Sequence, residues 1–183
     1  MKTADEREAP KTTFESDLRT QVIGSAPSGA FVRLEPLFAH DFPPPAGEAF
    51  MDQSAQAFVP SAMVARTGQA VQFHSREDIL HNVRVIRAED KAPIFNVVTP
   101  PRGAYTHVFD EDGTYEVTCD IHSAMRATIL VASTPYATAA GEDGSFAFAD
   151  VVPGRYKLIA FSGPNALERV VTVSGTRTQL KVP

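Results

Sequence analysis

Apolar and polar residues alternate along most of this chain, and the alternating runs are short. Ala57-Phe58-Val59, Met63-Val64-Ala65 and Ala70-Val71-Gln72-Phe73 each read as a strand, with Thr67-Gly68 turning the last two into one another. Ser75-Arg76-Glu77-Asp78 reads as a polar loop before a further strand, His81 to Ile86. Thr106 to Phe109, Thr114 to Cys119 and Arg126 to Ala132 follow, with Asp110-Glu111-Asp112-Gly113 as a turn. Residues 87–105 carry Pro93, Pro100, Pro101 and Gly103 and are expected to be irregular. No segment keeps a helical period across the window of about 11 residues that a helix needs. Short strands at regular spacing predict an all-β fold, a Greek-key sandwich or barrel.

The same pattern divides the chain. Residues 1–17 are charged and polar and are expected to form a flexible tail. Residues 18–49 hold Val22-Ile23-Gly24 and Ala30 to Leu34, expected to pair as a hairpin, and then a loop through Pro43-Pro44-Pro45. Residues 50–134 form the main β domain. Residues 135–183 repeat the β pattern in a small unit, with Phe146 and Phe148, then Tyr156, Leu158 and Ala160, then Val171, Val173, Leu180 and Val182 on its apolar face. A segment of this size is thin for a sandwich of its own. It must pack on the main domain or borrow strands, and the strands of 18–49 are the candidates to be shared.

Composition narrows the function. Fourteen prolines and eleven glycines in 183 residues suit turns and short strands. The net charge of −5 and the lack of a basic run argue against nucleic acid as a partner. No stretch approaches the ~18 apolar residues of a membrane-crossing helix. The start, Met1 to Glu8, has no apolar signal-peptide core, so the expectation is either a cytoplasmic protein or a mature form given a new Met1. One cysteine rules out an internal disulfide and leaves a filler, a reactive group or a ligand.

That cysteine opens the segment Cys119-Asp120-Ile121-His122-Ser123-Ala124-Met125. A thiolate, an imidazole and a thioether on one loop are a soft donor set suited to copper. Strand parity adds to it. Tyr115, Val117 and Cys119 share one face, and so do His81, Val83 and Val85, and Met125, Ala127, Ile129 and Val131. Each of these faces is apolar, so Cys119, His81 and Met125 point inward at strand ends. Taken singly, Cys119 reads as a small buried hydrophobe, His81 as a core histidine and Met125 as packing. Their shared destination favours a metal site. His40 and His74 sit in polar or proline-rich segments and read as solvated; His107, between Thr106 and Val108, reads as outward-facing. No nucleophile–base pair, phosphate-binding glycine loop or pair of carboxylates points to catalysis.

Residues 50–132 resemble the cupredoxins of the short-loop, amicyanin-like type. The resemblance rests on His81-Asn82, on Gly113-Thr114-Tyr115-Glu116-Val117-Thr118-Cys119 with its C-x2-H-x2-M loop, and on Phe58-Val59-Pro60 and Gly68 to Phe73 upstream. The wider chain is similar to bacterial proteins labelled methylamine-utilisation-protein-like. Asp143-Gly144-Ser145-Phe146 and Pro153 to Leu158 look like the carboxypeptidase-regulatory or transthyretin-like repeat. The cupredoxin resemblance implies His81, Cys119 and His122 as the trigonal ligands of one type 1 copper. It implies Met125 as a weak axial ligand and Asn82 as the residue tying the ligand loops together near the Cys119 sulfur. Many relatives carry proline and a large residue where this chain has Ser123 and Ala124, so the resemblance extends to ligation more firmly than to the docking patch.

The expected function is therefore one-electron transfer through a mononuclear copper in the periplasm, with a redox protein as partner and no enzymatic activity. Copper handling is the main alternative, since soft ligands hold Cu(I) well. A partner-binding role for the C-terminal unit is the third. Zinc fits poorly with a methionine ligand. Asp120, next to the thiolate, would favour oxidised copper if its carboxylate lay close, and is expected to be solvated.

Overall fold

A computed structural model describes residues 19–43, 45–163 and 165–183. The expected tail at 1–17 lies outside the described residues. Among those residues all regular structure is strand. The first two strands are β1 (Thr20–Ser25) and β2 (Phe31–Pro36). The main domain then runs through β3 (Ala49–Ser54), β4 (Ala57–Val59), β5 (Ala62–Arg66), β6 (Ala70–Ser75), β7 (His81–Arg87), β8 (Pro93–Thr99), β9 (Ala104–Val108), β10 (Gly113–Thr118) and β11 (Arg126–Ala132). The C-terminal segment supplies β12 (Ala137–Ala139), β13 (Ser145–Val151), β14 (Gly154–Ser162), β15 (Asn165–Val173) and β16 (Arg177–Lys181).

Two sheets make the main domain, ordered β5-β11-β10-β7-β8 and β4-β3-β6-β9. Strands distant in sequence are neighbours: β3 lies parallel to β6, and β5 parallel to β11. Between the sheets Met51, Phe58, Val71, Phe73, Val83, Val85, Phe109, Tyr115, Val117 and Ile129 form one buried cluster. These are the inward members of the alternating runs, so burying them is what holds the sheets face to face. Cys119 and Met125 belong to the same cluster.

The remaining strands form a second sandwich with its own core, including Val22, Leu34, Phe146, Phe148, Tyr156 and Leu158. Its sheets are β13-β1-β16 and β12-β2-β14-β15. The expected hairpin at 21–38 is thus wrong, because β1 and β2 lie in different sheets. Residues 26–30 carry the chain across the sandwich instead. The Ala26 N–H donates to Gly144 O (2.9 Å) and the Gly29 N–H to Ala140 O (3.2 Å), so this crossing is held by the β12–β13 connection.

Two further expectations need correcting. Residues 87–105 are not irregular throughout, since β8 pairs with β7 from His81↔Thr99 to Ile86↔Pro93. Pro93 is tolerated because it opens an edge strand, where a missing N–H leaves no ladder bond unmade. Strand β3 also went unread. Its alternation is broken by Phe50, an apolar residue on the exposed side, and by Gln53, a polar residue with no exposed surface.

Candidate metal centre

Three chain segments meet at one pole of the main sandwich. His81 is the first residue of β7 and is fully buried. Cys119 follows β10 directly and is 3% exposed. His122 lies in the loop between β10 and β11 and keeps part of its ring at the surface. That loop is closed by its own backbone: Met125 N–H donates to His122 O (2.9 Å) and Cys119 N–H to Met125 O (3.3 Å). Met125, 1% exposed, thus leads into β11 from directly beside the cysteine backbone.

The donor atoms converge. One atom each from His81, Cys119 and His122 lies within 4.8 Å of the others. His122 Nδ1 is 3.1 Å from His81 Nδ1 and 3.8 Å from Cys119 Sγ. Such spacings suit atoms sharing one ion at bond lengths of about 2.0–2.3 Å. A thiolate with two imidazoles is a donor set for a soft or borderline transition metal, so the residues present fit a copper ion.

The other ring nitrogen of His81 faces a carboxylate. Nε2 lies 3.0 Å from Glu77 Oε2. With Nε2 protonated and donating to Glu77, Nδ1 presents a lone pair towards Cys119 and His122. Glu77 is held in turn: its Oε2 accepts from Gln56 N–H (3.1 Å) and its backbone oxygen from Arg102 N–H (3.1 Å). Sequence reading placed Glu77 in a polar loop and missed it; its position four residues before His81 was the available signal.

Asn82, 5% exposed, connects β7 to the loop that follows Cys119. Its Oδ1 accepts the Asp120 N–H at 2.7 Å, and its Nδ2 donates to Asn96 Oδ1 (2.8 Å) and Asp120 Oδ2 (3.2 Å). Its backbone oxygen accepts from buried Gln53 Nε2 at 3.3 Å. Asp120 is half exposed yet held, accepting also from Asn96 Nδ2 (2.9 Å), with Arg84 3.7 Å away. The expectation of a merely solvated Asp120 therefore gives way to a bonded one. Asn96 and Gln53 sit on the two strands that sequence reading overlooked.

The remaining histidines stand apart from this cluster. His40 is exposed, with its ring between Phe38 and Phe42. His74 is half-buried, 3.6 Å from Asp52. His107 does not face outward as expected. It packs on Phe95 and Phe109 at ring separations of 4.6 and 4.7 Å, and burial pushes its pKa down. Thr106 and Val108 take the outward side of β9, because the apolar partner of His107 in the alternation is Tyr105.

Residues 46–132 match the model of the copper binding proteins of the plastocyanin/azurin family. The main domain is a cupredoxin. Its metal is copper. Similar solved structures include a Cu(I) mutant of amicyanin, 24% identical, covering 46% of this chain and 82% of that one at a TM-score of 0.43. Another is an oxidised amicyanin mutant, 25% identical over 57% of this chain and 99% of that one, also at 0.43. A purple cupredoxin from Nitrosopumilus maritimus is 21% identical over 46% and 99%, at 0.41. No curated protein matches the chain. The loop from Cys119 to Met125 carries small, exposed Ser123 and Ala124, while Ile79, Leu80 and Ile121 expose 39%, 48% and 48% of their surface beside the two histidines in sequence.

Proposed function

We propose that His81, Cys119 and His122 would hold one type 1 copper, with Met125 as a weaker fourth donor, and that the protein carries one electron at a time between redox proteins in the periplasm. The observation that supports this most is the convergence of two imidazole Nδ1 atoms and one thiol where His81 and Cys119 are buried and His122 is partly exposed. Copper bound there supplies a centre that takes up and gives back one electron. The chain's part is to keep the donors in place. Burial of His81 and Cys119 excludes water, Glu77 orients the His81 ring, and Asn82 holds the backbone after Cys119. A donor set that does not rearrange keeps the cost of changing oxidation state low. His122 is the member of the trio that reaches the surface. Exposed Ile79, Leu80 and Ile121, neighbours of His81 and His122 in sequence, offer a redox partner apolar surface. No residue is assigned a catalytic role.

We assign residues 50–134 as the cupredoxin domain and residues 135–183, with the strands of 18–49, as a second unit. Adding Cu(II) to the purified protein tests the site. An intense visible thiolate-to-copper absorption is expected, and Cys119→Ser should abolish it; a colourless protein that binds copper weakly would sink the assignment. Rapid transfer of Cu(I) to a competing chelator, without fast electron self-exchange, would favour copper handling instead.

A further inference from the structure

We propose that Asn96, on the edge strand β8, is a positioning residue for the metal loop. Its side-chain amide locks Asn82 and Asp120 into a closed clasp that fixes the backbone following Cys119. The inference rests on the assignment of Cys119 and His122 as ligands.

The Asn82 amide alone has two orientations. Its Oδ1 must face the Asp120 N–H to accept the 2.7 Å bond. An amide side chain turns over easily, and the turned form would set Nδ2 against that N–H, donor against donor. Something has to hold the productive orientation. Asn96 Oδ1 accepts from Asn82 Nδ2 at 2.8 Å, so the turned form would lose this bond as well. Asn96 in turn cannot flip, because its own Nδ2 donates to Asp120 Oδ2 at 2.9 Å. Asp120 Oδ2 closes the ring by accepting from Asn82 Nδ2 at 3.2 Å. Two amides and one carboxylate thus define each other's orientation, and the carboxylate makes its share of the bonds stronger than neutral ones.

The strand register places this clasp on the opposite face from the ligands. Asn96 pairs with Arg84, and Arg84 with Thr118, so the clasp spans β8, β7 and the end of β10. His81 and Val83 point into the core on the other face. The inner face presents the donors while the outer face holds the loop that carries two of them. A surface polar cluster ordinarily contributes little. This one includes Asn82, which is nearly buried and has the loop backbone as its partner.

Asn96→Leu in the full chain is the test, since leucine is close in size and makes no hydrogen bond. In the metal-free protein, amide hydrogen exchange at Asp120 should quicken about tenfold, with the Val83 and Val117 amides unchanged. Val98→Ser, on the same edge strand with its side chain 64% exposed, should leave the Asp120 amide as in the parent chain. In the copper-loaded protein, Asn96→Leu should lose copper to a chelator about tenfold faster and shift the thiolate-to-copper absorption. An Asp120 amide that exchanges at the parent rate in Asn96→Leu would overturn the clasp. So would equal acceleration in Val98→Ser, which would mean general fraying of β8. If the parent chain shows no thiolate-to-copper colour, the ligand assignment fails, while the metal-free exchange still decides the clasp.

Discussion

His81 has two ring nitrogens, and the fold gives each a different neighbour. Nδ1 faces His122 and Cys119; Nε2 faces Glu77. A carboxylate on the far side of an imidazole makes the near nitrogen a better donor and adds negative charge close to the metal. Glu77→Gln keeps a hydrogen-bonding oxygen and removes the charge. The expected outcome is a copper affinity lower by about tenfold, read by chelator competition. The reduction potential should rise, because the lost charge favoured the more positive oxidised state. An unchanged potential would mean that Glu77 only positions the ring. Inward placement of His81, Cys119 and Met125 was legible from period-two alternation, a property of each strand alone. Glu77 was not, because a carboxylate in a polar loop looks the same whether it meets water or a buried ring.

Among the elements, the connections decide as much as the strands. The chain crosses between β1 and β2 against the β12–β13 turn, and Gly144 makes that contact possible. Its φ of +77° lies in the region that L side chains avoid, and a Cβ there would overlap the Ala26 carbonyl oxygen. Gly144→Ala should destabilise the C-terminal sandwich by about 2–3 kcal/mol, measured by denaturant unfolding, and leave the copper absorption as it was. The sequence paired β1 with β2, since a short loop between two apolar runs also describes a hairpin. Strand β8 was hidden for a related reason. Its prolines flank it, and as an edge strand it leaves Val98 exposed instead of burying a clean face.

At the scale of the whole molecule, two separate cores share one junction. Arg66 sits at its centre. Its Nη2 donates to Ser133 O (2.8 Å) and Pro43 O (3.3 Å), and its guanidinium lies 6.0 Å from the Phe42 ring centre. One side chain therefore holds both segments that leave the cupredoxin domain. Arg66→Ala should expose residues 37–48 to proteolysis several-fold faster, as each bond lost is worth about 1 kcal/mol, with copper absorption unaffected. Loss of the absorption in this variant would show that the junction also supports the metal pole.

By itself the sequence determined the local matters: an all-β chain, turns at the glycine- and proline-rich points, and which face of each strand His81, Cys119 and Met125 take. These follow from side-chain alternation and turn chemistry, which act over a few residues. Tertiary structure decided what depends on distant segments meeting. It separated β1 from β2, turned His107 into the aromatic cluster, set Glu77 against His81 and closed Asn82, Asn96 and Asp120 into one network. Those outcomes depend on strand register and sheet order, and a strand's own pattern specifies which face it buries, not which strand lies beside it.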